Sequence, residues 1–133
     1  MSRKLTALLL AILMLPFSAM NVVAVGEPDL WVDEISFSDD SPTGGDTVTI
    51  TAEVANDGGD SGVVSVTTNV TFYWDNNYIG TDMITIPGDS TADAEIDWET
   101  VGGTHTIKVI VDEENAIDES DEANNEEEED INV

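Results

Sequence analysis

The chain has 133 residues, the length of a single domain, with 29 acidic residues against three basic ones. Its formal net charge of −26 at pH 7 excludes a nucleic-acid or anionic-lipid partner, because both would bring phosphates against carboxylates. There is no cysteine, so disulfides and thiolate-bound zinc are excluded and stability must come from an apolar core.

Residues 1–24 have the three-part pattern of a secretory signal peptide. Arg3 and Lys4 precede an apolar run over residues 5–17, and small residues follow with a cleavage position after Ala24. The run is shorter than the ~20 residues that a membrane-spanning helix needs. We therefore predict a cleaved signal helix and a secreted, extracellular protein.

Cleavage would leave a mature domain of residues 25–133 with no membrane span. All 29 acidic residues lie beyond position 24, and Lys108 is the one basic residue that stays, so 29 negative charges and one positive charge give −28. The alternative is an uncleaved N-terminal anchor, because apolar character resumes over residues 22–25.

Short stretches of period-two alternation, separated by turn residues, follow one another along the mature chain. In the first, Ile35 is out of phase with Leu30 and Val32, which predicts a bulge or bend between them. About seven such strands and no helical period predict an all-β, immunoglobulin-like sandwich of antiparallel strands, with a closed barrel as the alternative. The expected strands cover residues 29–36, 47–56, 63–74, 78–86, 90–98 and 104–111, with a last strand that includes Ile131 and Val133.

Several motifs along the chain together resemble a known family. They are Asp29-Leu30-x-Val32-x-x-Ile35, Gly45-Asp46, Val54-x-Asn56-x-Gly58, Phe72-Tyr73-x-Asp75, Gly103-x-His105-x-Ile107-x-Val109-x-Val111-Asp112 and Asn115-x-Ile117-x-Glu119-Ser120-Asp121-Glu122-x-Asn124-Asn125. Residues 28–133 are in this way similar to a CARDB domain, the "cell adhesion related domain found in bacteria", which also occurs in archaea.

The resemblance implies a seven-stranded sandwich in secreted or surface-attached prokaryotic proteins, with an adhesion or interaction role and no known catalytic residues. This chain departs from the family in two respects. Such domains usually sit in longer chains with several domains, whereas a single domain is expected here. Where the family continues with threonine-rich strand residues, this chain has the acidic run 126–130.

Twelve acidic residues lie between Asp112 and Asp130. Calcium takes six to eight oxygen ligands, so a calcium site is one interpretation of this segment. The spacing of an EF-hand is absent and no glycine supplies its sharp turn, so we favour a structural role. The resemblance likewise implies that Asp112, Asn115, Glu119 and the pair Asn124-Asn125 hydrogen-bond the backbone. The candidate calcium ligands are Asp112, Asn115, Asp118, Glu119, Asp121 and Glu122.

The run of five carboxylates over residues 126–130 would place alternate charges toward the core if it formed a strand. We therefore expect weak pairing there, or an edge strand. A docking site for a basic partner is the functional alternative.

Four further residues are candidates for a site. The sequon at Asn69 predicts N-glycosylation if that side chain is exposed. His105 lies on an apolar strand face without a second histidine, so it indicates a packed side chain rather than a metal ligand. Trp31 and Tyr73 are out of phase with the core and could bind a sugar or a protein, although ordinary cross-strand pairing is as consistent.

The sequence thus predicts a non-catalytic, secreted or cell-surface module that binds another surface protein or a glycan. The alternative is a structural spacer that calcium stabilises through the segment 112–130. An enzyme is disfavoured, because no nucleophile–base pair and no metal triad can be assembled from the sequence. High acidity alone is also typical of adaptation to saline surroundings.

Overall fold

A computed structural model describes residues 27–57, 64–119 and 121–133, and within these ranges the chain is all-β. The expected signal segment 1–24 lies outside the described residues. In the part that the structure describes, no helix has the length and apolarity to cross a membrane. The strands are β1 (Leu30–Phe37), β2 (Thr47–Asn56), β3 (Val66–Trp74), β4 (Asn77–Ile86), β5 (Ser90–Glu99), β6 (Thr104–Val111) and β7 (Glu126–Asn132).

The seven strands form two separate antiparallel sheets. One sheet has the order β1-β2-β5, and the other has the order β4-β3-β6-β7. Two open sheets that face each other make a sandwich, not a closed barrel, so the immunoglobulin-like prediction is confirmed.

The core lies between the inner faces of the two sheets. Along β2, every second side chain from Val48 to Val54 is buried, which is the period-two pattern that the sequence shows. The facing sheet contributes Phe72 from β3 and Ile107 from β6, both fully buried. Trp98 from β5 is 3% exposed and its ring lies 6.1 Å from that of Trp74.

Two local irregularities agree with the sequence. The register of β1 against β2 shifts between Val32 and Glu34, where the sequence predicts a bulge or bend. The β3–β4 turn is made by Asp75 and Asn76, whose φ angles are 47° and 67°. Asp and Asn tolerate this left-handed region, which tight hairpins require.

The acidic run forms β7, which lies at the edge of its sheet. Of the two expectations for this run, weak pairing or an edge strand, the edge strand is confirmed. It pairs with β6 along its whole length, from Glu126 opposite Ile110 to Asn132 opposite Thr104. The side chains of Glu127 and Glu129 share a face with buried Ile131 but stay exposed. The outermost position of β7 thus spares these carboxylates the desolvation that burial would bring.

His105 is a packed histidine that joins two connections of the sandwich. Its Nδ1 lies 2.6 Å from Asp75 Oδ2 in the β3–β4 turn, and its Nε2 lies 2.7 Å from the Val101 carbonyl in the β5–β6 connection. Asp75 also accepts the Thr106 N–H, and the Trp98 ring meets His105 edge-on. With an acceptor at each ring nitrogen, the doubly protonated imidazolium is favoured.

We predict a pH-dependent contribution of this pair to stability. The hydrogen bond to Asp75 raises the pKa of His105 above its ordinary 6.5, and the same bond lowers the pKa of Asp75 below 3.8. The contribution of His105 is therefore complete below about pH 6.5 and is lost as pH rises through the raised pKa, whereas that of Asp75 is lost in strong acid. The free energies of unfolding of wild type and His105→Gln should differ most between strongly acidic pH and about pH 6.5, and they should converge at alkaline pH. An equal difference in free energy at pH 5 and pH 10 would contradict the ion pair.

Candidate functional site

The segment between β6 and β7 is built on Asp112, which directly follows β6. The N–H of Asp112 donates to the Asn69 carbonyl of β3, and its φ of 54° turns the chain out of the sheet. Its carboxylate then accepts the N–H groups of Ala116 and Ile117, both at 3.0 Å. Asp112 is 3% exposed, so this short side chain fixes the loop from inside.

Glu119 and Asn125 tie the loop to the other sheet through the backbone of Leu30. The Leu30 N–H donates to Glu119 Oε2 at 2.7 Å, and Asn125 Nδ2 donates to the Leu30 carbonyl at 2.8 Å. Asn125 Nδ2 also donates to the Glu119 carboxylate at 3.0 and 3.1 Å. These two side chains therefore take the place of a neighbouring strand at the start of β1. Leaving such a buried N–H without an acceptor costs ~1–3 kcal/mol.

Glu122 completes a cluster of three carboxylates. Its Oε2 accepts the Glu119 N–H at 3.0 Å. Asp112, Glu119 and Glu122 each offer one oxygen, and these oxygens all lie within 4.8 Å of one another. The first two residues are buried and Glu122 is exposed, so the cluster opens to solvent on the Glu122 side.

The other three calcium candidates from the sequence are the amide Asn115 and the carboxylates Asp118 and Asp121, and neither of these two carboxylates is part of the cluster. Asn115 is exposed, has a φ of 56°, and donates its N–H to the Asp112 carbonyl. Asp121 is exposed, and its Oδ1 accepts the Ala123 N–H. Asp118 is exposed as well. The structure thus brings together three of the six predicted ligands.

The electrostatics of the cluster are dominated by Glu119. Burial is the main cause that raises the pKa of Glu119 from 4.5 to about 7, and the nearby Glu122 carboxylate acts in the same direction, while the hydrogen bonds from Leu30 and Asn125 oppose the shift. A proton relieves the repulsion between the carboxylates, and a hard cation bound by the same oxygens would relieve it too. Each carboxylate oxygen has two lone pairs, so the hydrogen bonds described do not use up the capacity to bind an ion.

The remaining sequence candidates lie on the outer faces. Asn69 is half-buried on β3, opposite exposed Met83 of β4. Tyr73 is half-buried, meets Tyr78 edge-on at 6.0 Å and donates its hydroxyl to the Glu113 carboxylate at 2.8 Å, which raises the pKa of Tyr73. Trp31 is half-buried beside an open hollow of about 520 Å³ between β1 and β7.

Leu30 is the functional backbone position that reasoning from periodicity missed. It is separated from Glu119 by 89 residues and looks like an ordinary core leucine in the sequence. The family resemblance did imply backbone hydrogen bonds from Glu119 and the asparagine pair. It gave no indication that their common partner is the first residue of β1.

Comparison with known proteins gives a family match over most of the chain. Residues 27–129 match the CARDB family model. A CARDB domain from Pyrococcus furiosus, crystallised in complex with di-metal ions, is similar with a TM-score of 0.71 and 26% identity, over 84% of this chain and 97% of that one. A domain from a candidate cell-surface protein of Methanosarcina acetivorans has a TM-score of 0.66 and 24% identity, over 80% and 92% of the two chains. No curated protein matches the sequence.

We predict that the free energy of unfolding, measured in chelator, falls as pH rises from about 4.5 to about 7. In this window the folded chain holds a proton on Glu119, whose pKa is raised to about 7, that the unfolded chain has released. Repulsion among the other carboxylates also lowers the free energy of unfolding as pH rises. The contribution of Glu119 is therefore isolated by comparing two variants. Glu119→Gln should flatten the pH dependence in this window, whereas Glu127→Gln on exposed β7 should leave it nearly unchanged. Equal slopes in both variants would contradict the role of Glu119.

Proposed function

Because the chain belongs to the CARDB family, we propose that it is a secreted or cell-surface module that binds another surface protein or a glycan without catalysing a reaction. The mature module is residues 25–133, released by removal of the signal peptide 1–24. The family match over residues 27–129 is the observation that carries this proposal, since the family is named for cell adhesion.

Exposed groups on the outer faces support a binding role. Tyr78 is 61% exposed and Met83 is 66% exposed on β4, and Trp31 lies half-buried beside a hollow. Aromatic side chains supply much of the binding energy at protein interfaces. The acidic surface limits the partner to a neutral or basic molecule, since like charges repel.

We predict that the chain is recovered from the envelope or medium of its source organism, with the mass of a chain that begins at Val25. Purified from there and labelled, it should bind intact cells in the presence of chelator. Pretreatment of the cells with protease or with glycosidases distinguishes a protein receptor from a glycan. The same mass measurement tests glycosylation at Asn69, which adds the mass of the glycan. Recovery of the full-length chain from the cytoplasm would contradict the proposal.

We propose as a second candidate that a divalent cation, calcium in particular, binds the cluster and stiffens the loop, so that the domain acts as a spacer. Two observations favour it. Asp112, Glu119 and Glu122 converge within 4.8 Å, and the similar Pyrococcus furiosus domain was crystallised in complex with di-metal ions. Carboxylate oxygens are the ligands that calcium prefers.

We expect calcium to raise the midpoint of thermal unfolding beyond sodium chloride at matched ionic strength, with magnesium weaker. A cation that binds only the folded chain adds ~2.7 kcal/mol when its concentration is about 100 times Kd. Glu122→Gln should abolish most of the shift, because it removes one of the three carboxylates of the cluster. This exposed ligand is chosen because it can be changed without removing the bond between Glu119 and Leu30. Glu114→Gln removes the same charge from the same loop and is the control that should keep it. If sodium and calcium act alike, the carboxylates are a screened surface and the spacer reading fails.

A further inference from the structure

β7 presents one set of backbone groups to β6 and the other set outward. Gly103 and Val133 exchange both backbone hydrogen bonds, and the Val111 N–H donates to the Asn125 carbonyl. In an antiparallel ladder these bonded pairs recur at every second residue. The odd-numbered residues of β7 therefore bond to β6, and the outward N–H and C=O groups belong to Glu126, Glu128, Asp130 and Asn132.

At two other sheet edges, side chains bond outward backbone groups of the edge strand. At the start of β1, Glu119 and Asn125 bond the outward N–H and C=O of Leu30. On the opposite side of the sandwich, the Glu95 N–H of β5 donates to the Asp82 carboxylate of β4 at 2.9 Å. Within the described ranges, β7 pairs with β6 alone, and its outward groups have no such partner.

The charge of this edge selects against a second copy of the chain. Residues 126–130 are five consecutive exposed carboxylates, and pairing two such edges would set carboxylate against carboxylate. The chain itself has three basic residues, of which Lys108 already bonds Asn76 beside the Tyr73 ring. A second copy of this chain therefore does not supply the charge that complements β7.

Two hollows beside the edge have room for long basic side chains. Between β1 and β7 lie two open hollows of about 520 and 340 Å³. Trp31 lines the first, where a cation can rest on its ring beside nearby carboxylates. The acidic residues that line the two hollows are Asp29, Glu34, Asp40, Glu126, Glu127, Glu129 and Asp130.

We propose that the outward edge of β7 receives an extended, lysine- or arginine-rich segment of a partner protein as an added strand. The backbone of residues 126–132 supplies the ladder, and the carboxylates and Trp31 select basic side chains at alternate positions. The inference rests on the proposed binding function and specifies its surface and the chemistry of its partner.

The test uses the full secreted chain and three synthetic nine-residue peptides. One alternates lysine with valine, a second alternates lysine with proline, and a third alternates glutamate with valine. The lysine–valine peptide should bind at low salt and slow amide exchange at residues 126, 128, 130 and 132. The lysine–proline peptide keeps the charge but lacks half of the N–H donors, so it should bind about tenfold more weakly, which corresponds to one or two lost hydrogen bonds. The glutamate peptide should not bind.

Variants place the interaction on β7. Glu128→Pro removes an outward donor without touching a bond to β6, and should weaken binding of the lysine–valine peptide about three- to tenfold. Glu128→Gln removes only the charge and should weaken binding about twofold. Glu95→Gln removes a charge from an exposed position of β5 and should have no effect.

Equal binding of the lysine–valine and lysine–proline peptides, or unchanged exchange at the four outward amides, would overturn the added strand and leave only charge attraction. These two readouts need no variant, so misfolding of Glu128→Pro cannot obscure them. Cell binding distinguishes the two proposals. If the folded Glu128→Pro variant binds cells as wild type does, the binding function stands and the edge is not its surface.

Discussion

The bond between the Glu119 carboxylate and the Leu30 N–H, 2.7 Å long, connects the two halves of the sandwich. Leu30 belongs to the three-stranded sheet, and Glu119 belongs to the loop that joins two strands of the other. Asn125 completes the connection at the Leu30 carbonyl, one residue before β7 begins. The contact holds the loop against the start of β1, directly before the point at which β7 begins.

Hydrogen bonds from backbone N–H groups, this contact among them, help to explain why so acidic a loop is stable. Asp112, Glu119 and Glu122 each accept backbone N–H groups, so part of their charge is neutralised by the chain itself. Burial nevertheless leaves Glu119 with a pKa near 7, which shows that the compensation is incomplete. A loop with surplus negative charge at its centre is one that responds to protons and, on the second proposal, to cations.

Local patterns in the sequence predicted most of the fold, because alternation is a property of adjacent residues. The strand over 47–56 and the bulge before Ile35 follow from apolar spacing alone. β7 could not be defined in this way, since glutamate is a poor strand former and Ile131 is its one buried residue. Its length is set by pairing with β6. Of the site, the sequence supplied the carboxylates but not their arrangement, because the contact with Leu30 spans 89 positions and leaves no periodic trace.

The placement of Leu30 beside Asn125 also determines how the domain would carry tension. β1 and β7 start at the same end of the sandwich, and residues 34–37 lie beside residues 129–132 further along. The two strands are therefore parallel, and residues 27 and 133 leave from opposite ends of the molecule. A pull between these residues acts along the strands and shears β1 against β2 and β7 against β6. All the bonds of each ladder then share the load, and the Glu119 and Asn125 side chains meet the force first at Leu30.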